Sequence, residues 1–168
     1  RLFAHAIEHG REIRILPAGS CDFESATTIP IEGRYKYLFL LSWVPRPERI
    51  LFATLEEGRQ DVTFWTIRPD GTGRQKLARG NWGPSPRITG DGVFYFGRSL
   101  PSLQILRVAL SASGEPEAEP APVPHFVEDP VFWFSMNDDG SRAVVERRDT
   151  RQRVVQVRPD VVRGLPAE

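Results

Sequence analysis

The sequence repeats one pattern of short apolar runs and turn residues along most of its length. In the clearest copy, β-type runs at 50–54 and 62–67 are separated by a turn containing Gly58, and a Pro-Asp-Gly corner follows at 69–71. Two β-type runs joined by a glycine-containing loop are typical of an antiparallel hairpin. Because repeats of 20–50 residues determine the architecture of a chain, this pattern constrains the fold more than any other feature.

The pattern recurs in order, and three of the copies begin with a further apolar run. The copies occupy approximately 1–30, 35–80, 82–125 and 130–168. Equivalent apolar positions recur at intervals of roughly 45 residues; they are Phe3, Phe52, Tyr95 and Val145. No helical 3.6-residue periodicity is found. The sequence therefore predicts an all-β protein of four-stranded antiparallel units, with about three and a half units in a single domain over 1–168.

The segment 111–130 contains five prolines and interrupts this pattern. Proline cannot donate the ladder hydrogen bond, so this segment cannot form a central strand. It either divides two domains or connects two units. We favour a long connection because the repeat resumes directly after it.

Four-stranded units at this spacing are typical of the blades of a β-propeller, and their motifs resemble the TolB-type propeller repeat. The stretch "SPRITGDGVFYF" carries Ser85, Pro86, Asp91 and Gly92 of that repeat, "FSMNDDGSRAVVE" carries Ser135, Asp139 and Gly140, and "TIRPDGTGRQKL" carries Asp70, Gly71 and Leu77. The chain departs from the repeat in three places. Arg46-Pro47-Glu48 replaces an Asp-Gly corner, and the closing Thr is absent after Leu77. The first unit lacks its opening strand.

The resemblance implies a partial ring, since propellers of this type usually have six or more blades. An open half-ring would leave two apolar blade faces in water, each larger than a tolerated patch of a few hundred Å². We therefore expect a second propeller half, supplied by another chain, a symmetry mate or a missing segment. The chain begins at Arg1 without Met, which we interpret as a piece of a longer protein or a processed chain.

Composition excludes several functional classes. The 22 basic and 22 acidic residues balance, with a pI near 7.1, which does not favour general attraction to nucleic acid or anionic membranes. The lone Cys21 excludes an internal disulfide and a multi-cysteine metal site. The longest apolar run, 37–44, has the length of a strand and is too short for a membrane span.

The motifs that suggest chemistry have structural interpretations. The "PDGTG" stretch at 69–73 is not followed by the helix that a phosphate-binding loop requires, so it predicts a turn. The "NDDG" stretch at 137–140 lacks the Glu that closes an EF-hand and also predicts a corner, with an isolated calcium ion at this corner as the alternative. His5 and His9 would lie about 13 Å apart along a strand, too far to share an ion. No Gly-x-Ser-x-Gly elbow is present. We therefore predict no catalytic residues, metal or cofactor in this chain.

The connections between units hold the remaining candidates, which are aromatic residues with nearby cationic or imidazole side chains. The predicted contact residues are Arg34, Tyr35, Trp82, Arg98, His125 and Phe126. Rigid sheets that hold variable loops favour binding, so the leading hypothesis is a non-catalytic scaffold that binds a protein or peptide. Alternatively, these aromatic side chains have a structural role and pack beneath the loops.

Two other functions stay open. The resemblance implies that the chain could form the gating propeller of a prolyl-oligopeptidase-like hydrolase. The loop aromatics could instead bind a small ligand or a sugar. The resemblance also implies a periplasmic or other extracytoplasmic location in a bacterium, with the cytoplasm as the alternative.

Overall fold

The computed structural model describes residues 2–7, 10–17, 19, 22–81, 86–98, 104–124, 131–147 and 153–157. In this part of the chain the structure is all-β: the strands are antiparallel, and helical backbone is limited to 3-10 turns at Phe23–Ser25 and at Pro124. The all-β prediction and its antiparallel four-stranded sheets are confirmed. The chain divides into two compact units, 1–78 and 79–168, and the boundary falls within a strand.

The first unit contains two sheets, each of which follows the order of the chain. Sheet A has three strands: β1 (Leu2–Ile7), β2 (Gly10–Ile15) and β3 (Thr27–Ile31). Sheet B has four strands: β4 (Tyr35–Pro45), β5 (Glu48–Glu56), β6 (Val62–Ile67) and β7 (Gln75–Gly80). The missing opening strand of the first repeat is consistent with the three-stranded sheet A.

The two sheets of the first unit pack face to face through an isoleucine-rich core. The fully buried members of this core are Ile13, Ile29 and Ile31 from sheet A and Ile50, Phe52 and Ile67 from sheet B. The opposite face of β5 is buried as well, since Leu51 and Ala53 have no exposed surface. The central strands β5 and β6 of sheet B are therefore buried on both faces, which explains why they read as continuous apolar runs without alternation.

The second unit also contains two sheets in chain order. Sheet C has four strands: β8 (Arg87–Ile88), β9 (Val93–Arg98), β10 (Gln104–Ala109) and β11 (Ala121–Pro122). Sheet D has three strands: β12 (Val131–Met136), β13 (Ala143–Arg147) and β14 (Arg153–Val157). Their shared core consists of Tyr95, Ile105, Val123, Phe134, Met136 and Ala143.

Sheet C resembles sheet B in being buried on both faces. Tyr95 and Ile105 face the core shared with sheet D, whereas the stacked rings of Phe94 and Phe96 lie on the other face of β9 and are fully buried. Each unit thus combines one sheet buried on both faces with one three-stranded sheet.

The corners are turns, as the sequence predicts. The corner at 68–74 joins β6 to β7, and Gly71 adopts a φ of +81°, a left-handed conformation that favours glycine. The Asp70 Oδ1 accepts hydrogen bonds from the Thr72 backbone N–H at 2.8 Å and from its hydroxyl at 2.7 Å. Gly19, at the equivalent place after β2, has a nearly identical φ of +79°. The turn interpretation of this corner is therefore confirmed.

The proline-rich segment differs in detail from a plain connection. Ala121 and Pro122 form β11, which pairs with β10 at the edge of sheet C, and the Val123 N–H donates to the Ile105 carbonyl. The prediction that this segment forms no central strand is confirmed, because β11 lies at the edge of sheet C, where proline is tolerated. The segment supplies the fourth strand of its own sheet, which no apolar run in the sequence indicated.

The faces of sheets A and D that point away from the two cores are described at few positions, which are a mixture of polar and apolar residues. On sheet A, Glu12 and Arg14 form an ion pair, and the paired residues Thr28 and Pro30 are exposed. On sheet D, Ser135 and Val144 pair and are both exposed. These two faces differ from those of sheets B and C, where both sides are buried.

Candidate functional site

An arginine clamps the connection that leads from sheet A to sheet B. Arg74, just before β7, donates from Nη1 to the Glu32 carbonyl at 3.0 Å and from Nη2 to the Tyr35 hydroxyl at 2.6 Å. Glu32 and Tyr35 lie 42 and 39 positions earlier in the chain. One guanidinium therefore ties the corner after β6 to both ends of the connection.

Aromatic rings enclose the same guanidinium. Its central carbon lies 4.0 Å from the ring centroid of Trp65, 5.7 Å from that of Tyr35 and 5.9 Å from that of Phe52. These distances allow cation–π attraction, which strengthens when the cation is shielded from water. Trp65 is itself fixed, because its indole N–H donates to the Thr54 hydroxyl at 2.9 Å. We call Arg74, Tyr35, Trp65 and Phe52 the arginine clamp.

Gly33 allows the backbone of the connection to pass close to Tyr35 of the arginine clamp. Its φ is +127°, and a Cβ at this position would lie 2.4 Å from the Tyr35 ring and hydroxyl. Such a contact is impossible without displacing Tyr35, which the hydrogen bond to Arg74 holds in place. The connection therefore depends on glycine for both its backbone conformation and its packing.

We expect Gly33→Ala to destabilise the protein by about 2 kcal/mol, because backbone strain adds to the clash with Tyr35. Gly58→Ala is the matched control: Gly58 has a φ of +77°, but a Cβ there would meet nothing within 4 Å. The control should cost only about 1 kcal/mol. Urea denaturation of the two variants measures the difference, and equal losses would show that the Tyr35 contact contributes nothing.

The predicted contact residues divide between the two units. Arg34 is exposed in the connection, and Tyr35 is half-buried in the clamp as the first residue of β4. Arg98 is exposed at the end of β9 in the second unit. Trp82, His125 and Phe126 lie outside the described residues. Of the predicted contact residues that the structure describes in the first unit, Arg34 and Tyr35 are neighbours in the same connection.

The sequence did not indicate three cations that contact this connection. Arg74 ends the corner at 68–74 in a polar run. Arg11 donates from Nη2 to the Lys36 carbonyl at 2.8 Å, and the Lys36 ammonium lies 5.4 Å from the Tyr37 ring. The only local signal for Lys36 was its position beside Tyr35. Arg11 and Arg74 are distant in sequence, and no spacing rule connects them to residues 32–36.

Two exposed corner carboxylates have shifted pKa values. Hydrogen bonds from the Thr72 backbone and hydroxyl lower the pKa of Asp70, and hydrogen bonds from the Ser141 hydroxyl and backbone lower the pKa of Asp139. Both groups accept hydrogen bonds best as carboxylates, so these bonds favour ionisation. Their role is to close turns, because in each case the donor lies two residues further along the same corner.

A lowered pKa in the folded state makes the contribution of Asp70 to stability depend on pH. The contribution is complete above the ordinary Asp pKa of about 4 and is lost as the pH falls through the lower folded value. We therefore expect the difference in Tm between the wild type and Asp70→Asn to shrink from pH 6 to pH 3. Thermal denaturation followed by circular dichroism measures it, with Glu119→Gln as the control for loss of an exposed carboxylate. A constant difference across this range would contradict the assignment.

Within the described ranges, no three His, Cys, Asp or Glu side chains are grouped closely enough to hold a metal ion. The same part of the chain contains no helix that is long and apolar enough to cross a membrane. No protein-family model matches the sequence, and no curated protein is significantly similar to it.

Proposed function

We propose that this chain is part of a β-propeller and acts as a non-catalytic scaffold that binds a protein or peptide through the connections between its sheets. Two features of the fold support the propeller. Every sheet is an antiparallel meander in chain order, and sheets B and C are buried on both faces. Interior blades of a propeller have this form, because each blade packs between two neighbours.

The observation that carries the binding function is the clamped connection between sheets A and B. Arg74 holds it from one side, Gly33 fits it against the Tyr35 ring, and Arg34 stays exposed between these anchors. A loop that is already ordered loses little conformational entropy when a partner binds. Rigid presentation of an exposed cation is therefore well suited to recognition of a partner.

A peptide-display selection tests this function. A random library selected against the folded protein should yield peptides whose binding is weakened by Arg34→Ala and by Gly33→Ala. Lys76→Ala, which removes an exposed cation from β7, is the control and should leave binding unchanged. A selection that enriches no peptide, or only peptides insensitive to changes in the connection, would contradict the proposal.

A further inference from the structure

Four cations meet at the connection between sheets A and B. Arg34 and Lys36 are exposed within it, Arg74 donates to the Glu32 carbonyl, and Arg11 donates to the Lys36 carbonyl. We call residues 32–36, together with Arg11 and Arg74, the basic connection. The acceptors of Arg11 and Arg74 are carbonyl and hydroxyl oxygens, so neither positive charge is neutralised.

None of these four cations forms an ion pair with a described carboxylate. The Glu32 carboxylate is exposed and is not paired with Arg34. Two other carboxylates of the first unit pair with different cations: Glu12 pairs with Arg14, and Asp61 pairs with Arg59. The basic connection itself contains four cations and one carboxylate, that of Glu32, so it carries a net positive charge although the chain as a whole is neutral. Glu56, which pairs with Tyr35 across sheet B, interacts with Arg59.

An exposed aromatic ring extends this surface. Tyr37 is 49% exposed, which is unusual for a large apolar side chain on a strand, and it lies beside the Lys36 ammonium. Tyrosine and arginine are enriched among the residues that dominate protein interfaces. A charged rim beside an exposed aromatic ring fits a peptide that combines carboxylates with an apolar residue.

We propose that the basic connection binds an acidic segment of a partner protein. Carboxylates of the segment pair with Arg34 and Lys36, and an adjacent apolar side chain covers Tyr37. Arg74 and Arg11 add positive potential, and their hydrogen bonds to carbonyls of the connection fix the backbone that carries the two exposed cations. This inference rests on the proposed binding function and specifies its partner. A protein is favoured over nucleic acid because nucleic-acid-binding domains are typically strongly basic, whereas this chain has a pI near 7.1.

The test uses a fluorescent 12-residue peptide of alternating Glu and Val and a matched peptide of alternating Gln and Val. The Glu peptide should bind the whole chain at low salt and the Gln peptide should bind much more weakly, with binding lost at high ionic strength. Arg34→Gln combined with Lys36→Gln should weaken the Glu peptide about fivefold, as expected for loss of two exposed charge pairs. Lys76→Gln combined with Arg107→Gln removes the same charges outside the basic connection and should have no effect.

Several results would overturn the inference. Equal binding of the two peptides, or equal weakening by the two double variants, would show that the basic connection does not select carboxylates. Tighter binding of a single-stranded DNA oligonucleotide than of the Glu peptide, with the same sensitivity to Arg34 and Lys36, would assign the surface to nucleic acid instead.

The selection experiment separates this inference from the proposed function. If the selected peptides depend on Arg34 but are not acidic, the scaffold function stands and the acidic partner is wrong. If no peptide depends on the connection and the Glu peptide also fails to bind, both are wrong.

Discussion

Phe52→Ala is expected to lower the free energy of unfolding by about 3–5 kcal/mol, the usual loss for a fully buried phenylalanine. Phe52 has no exposed surface and lies at the centre of the core between sheets A and B, with Ile50 and Ile67 on the same sheet. It also forms one wall of the arginine clamp. Removing the ring creates a cavity in that core and takes an aromatic face away from Arg74.

Phe52→Leu is the matched control, because it keeps most of the volume and removes only the aromatic face. We expect it to cost about 1.5 kcal/mol or less. Urea denaturation followed by tryptophan fluorescence suits the measurement, since Trp43 and Trp65 both lie in sheet B. A loss below 1 kcal/mol for Phe52→Ala would show that the two sheets do not share a packed core at this position.

Arg74→Met is expected to lower the free energy of unfolding by about 2–3 kcal/mol. Methionine preserves much of the apolar contact with Trp65 but removes two hydrogen bonds from a charged donor, each worth about 1.5–3 kcal/mol before compensation. The net cost is smaller than their sum because the buried Nε of Arg74 has no hydrogen-bond partner in the native structure. Replacing the whole guanidinium relieves that unsatisfied donor.

Arg74→Lys and Tyr35→Phe separate the parts of this effect. Lysine keeps the charge but cannot reach two acceptors with a planar group, so it should recover less than half of the loss. A double-mutant cycle between Arg74→Met and Tyr35→Phe should give a coupling of about 1 kcal/mol. A coupling near zero would mean that the 2.6 Å hydrogen bond does not stabilise the fold.

The corners were the most predictable part of the structure. The Asp-Gly pairs at 70–71, 91–92 and 139–140 all lie in turns between strands, and each glycine has a positive φ. Aspartate and glycine determine such turns locally, through a side-chain hydrogen bond and freedom of the backbone. The repeat could therefore be recognised in the sequence, because each of its turns is determined by adjacent residues.

The strands were predictable in position but not in their surroundings. The run at 50–54 lies within β5, which extends to Glu48–Glu56. Burial on both faces removes the alternation that would have shown which side of a strand meets which neighbour. The edge strand at Ala121–Pro122 carried no signal, because two residues beside prolines resemble a loop.

The arginine clamp could not have been predicted from the sequence. Tyr35 was identified from its place in a connection, but its partner Arg74 is 39 positions away and belongs to a corner that looks like any polar turn. Contacts between residues so far apart depend on how the two sheets pack, and a single sequence contains no record of that packing. Arg11 was missed for the same reason, whereas Lys36 was overlooked although it lies beside Tyr35.

The outward face of sheet A has a consequence for assembly. The expectation of a second propeller half rested on apolar faces that would attract any complementary surface. At the described positions of this face, Thr28 and Pro30 are exposed, and the half-buried Arg14 pairs with the buried Glu12. Any partner that attached through these described positions would use charge pairs and hydrogen bonds, and its attachment would therefore be sensitive to salt.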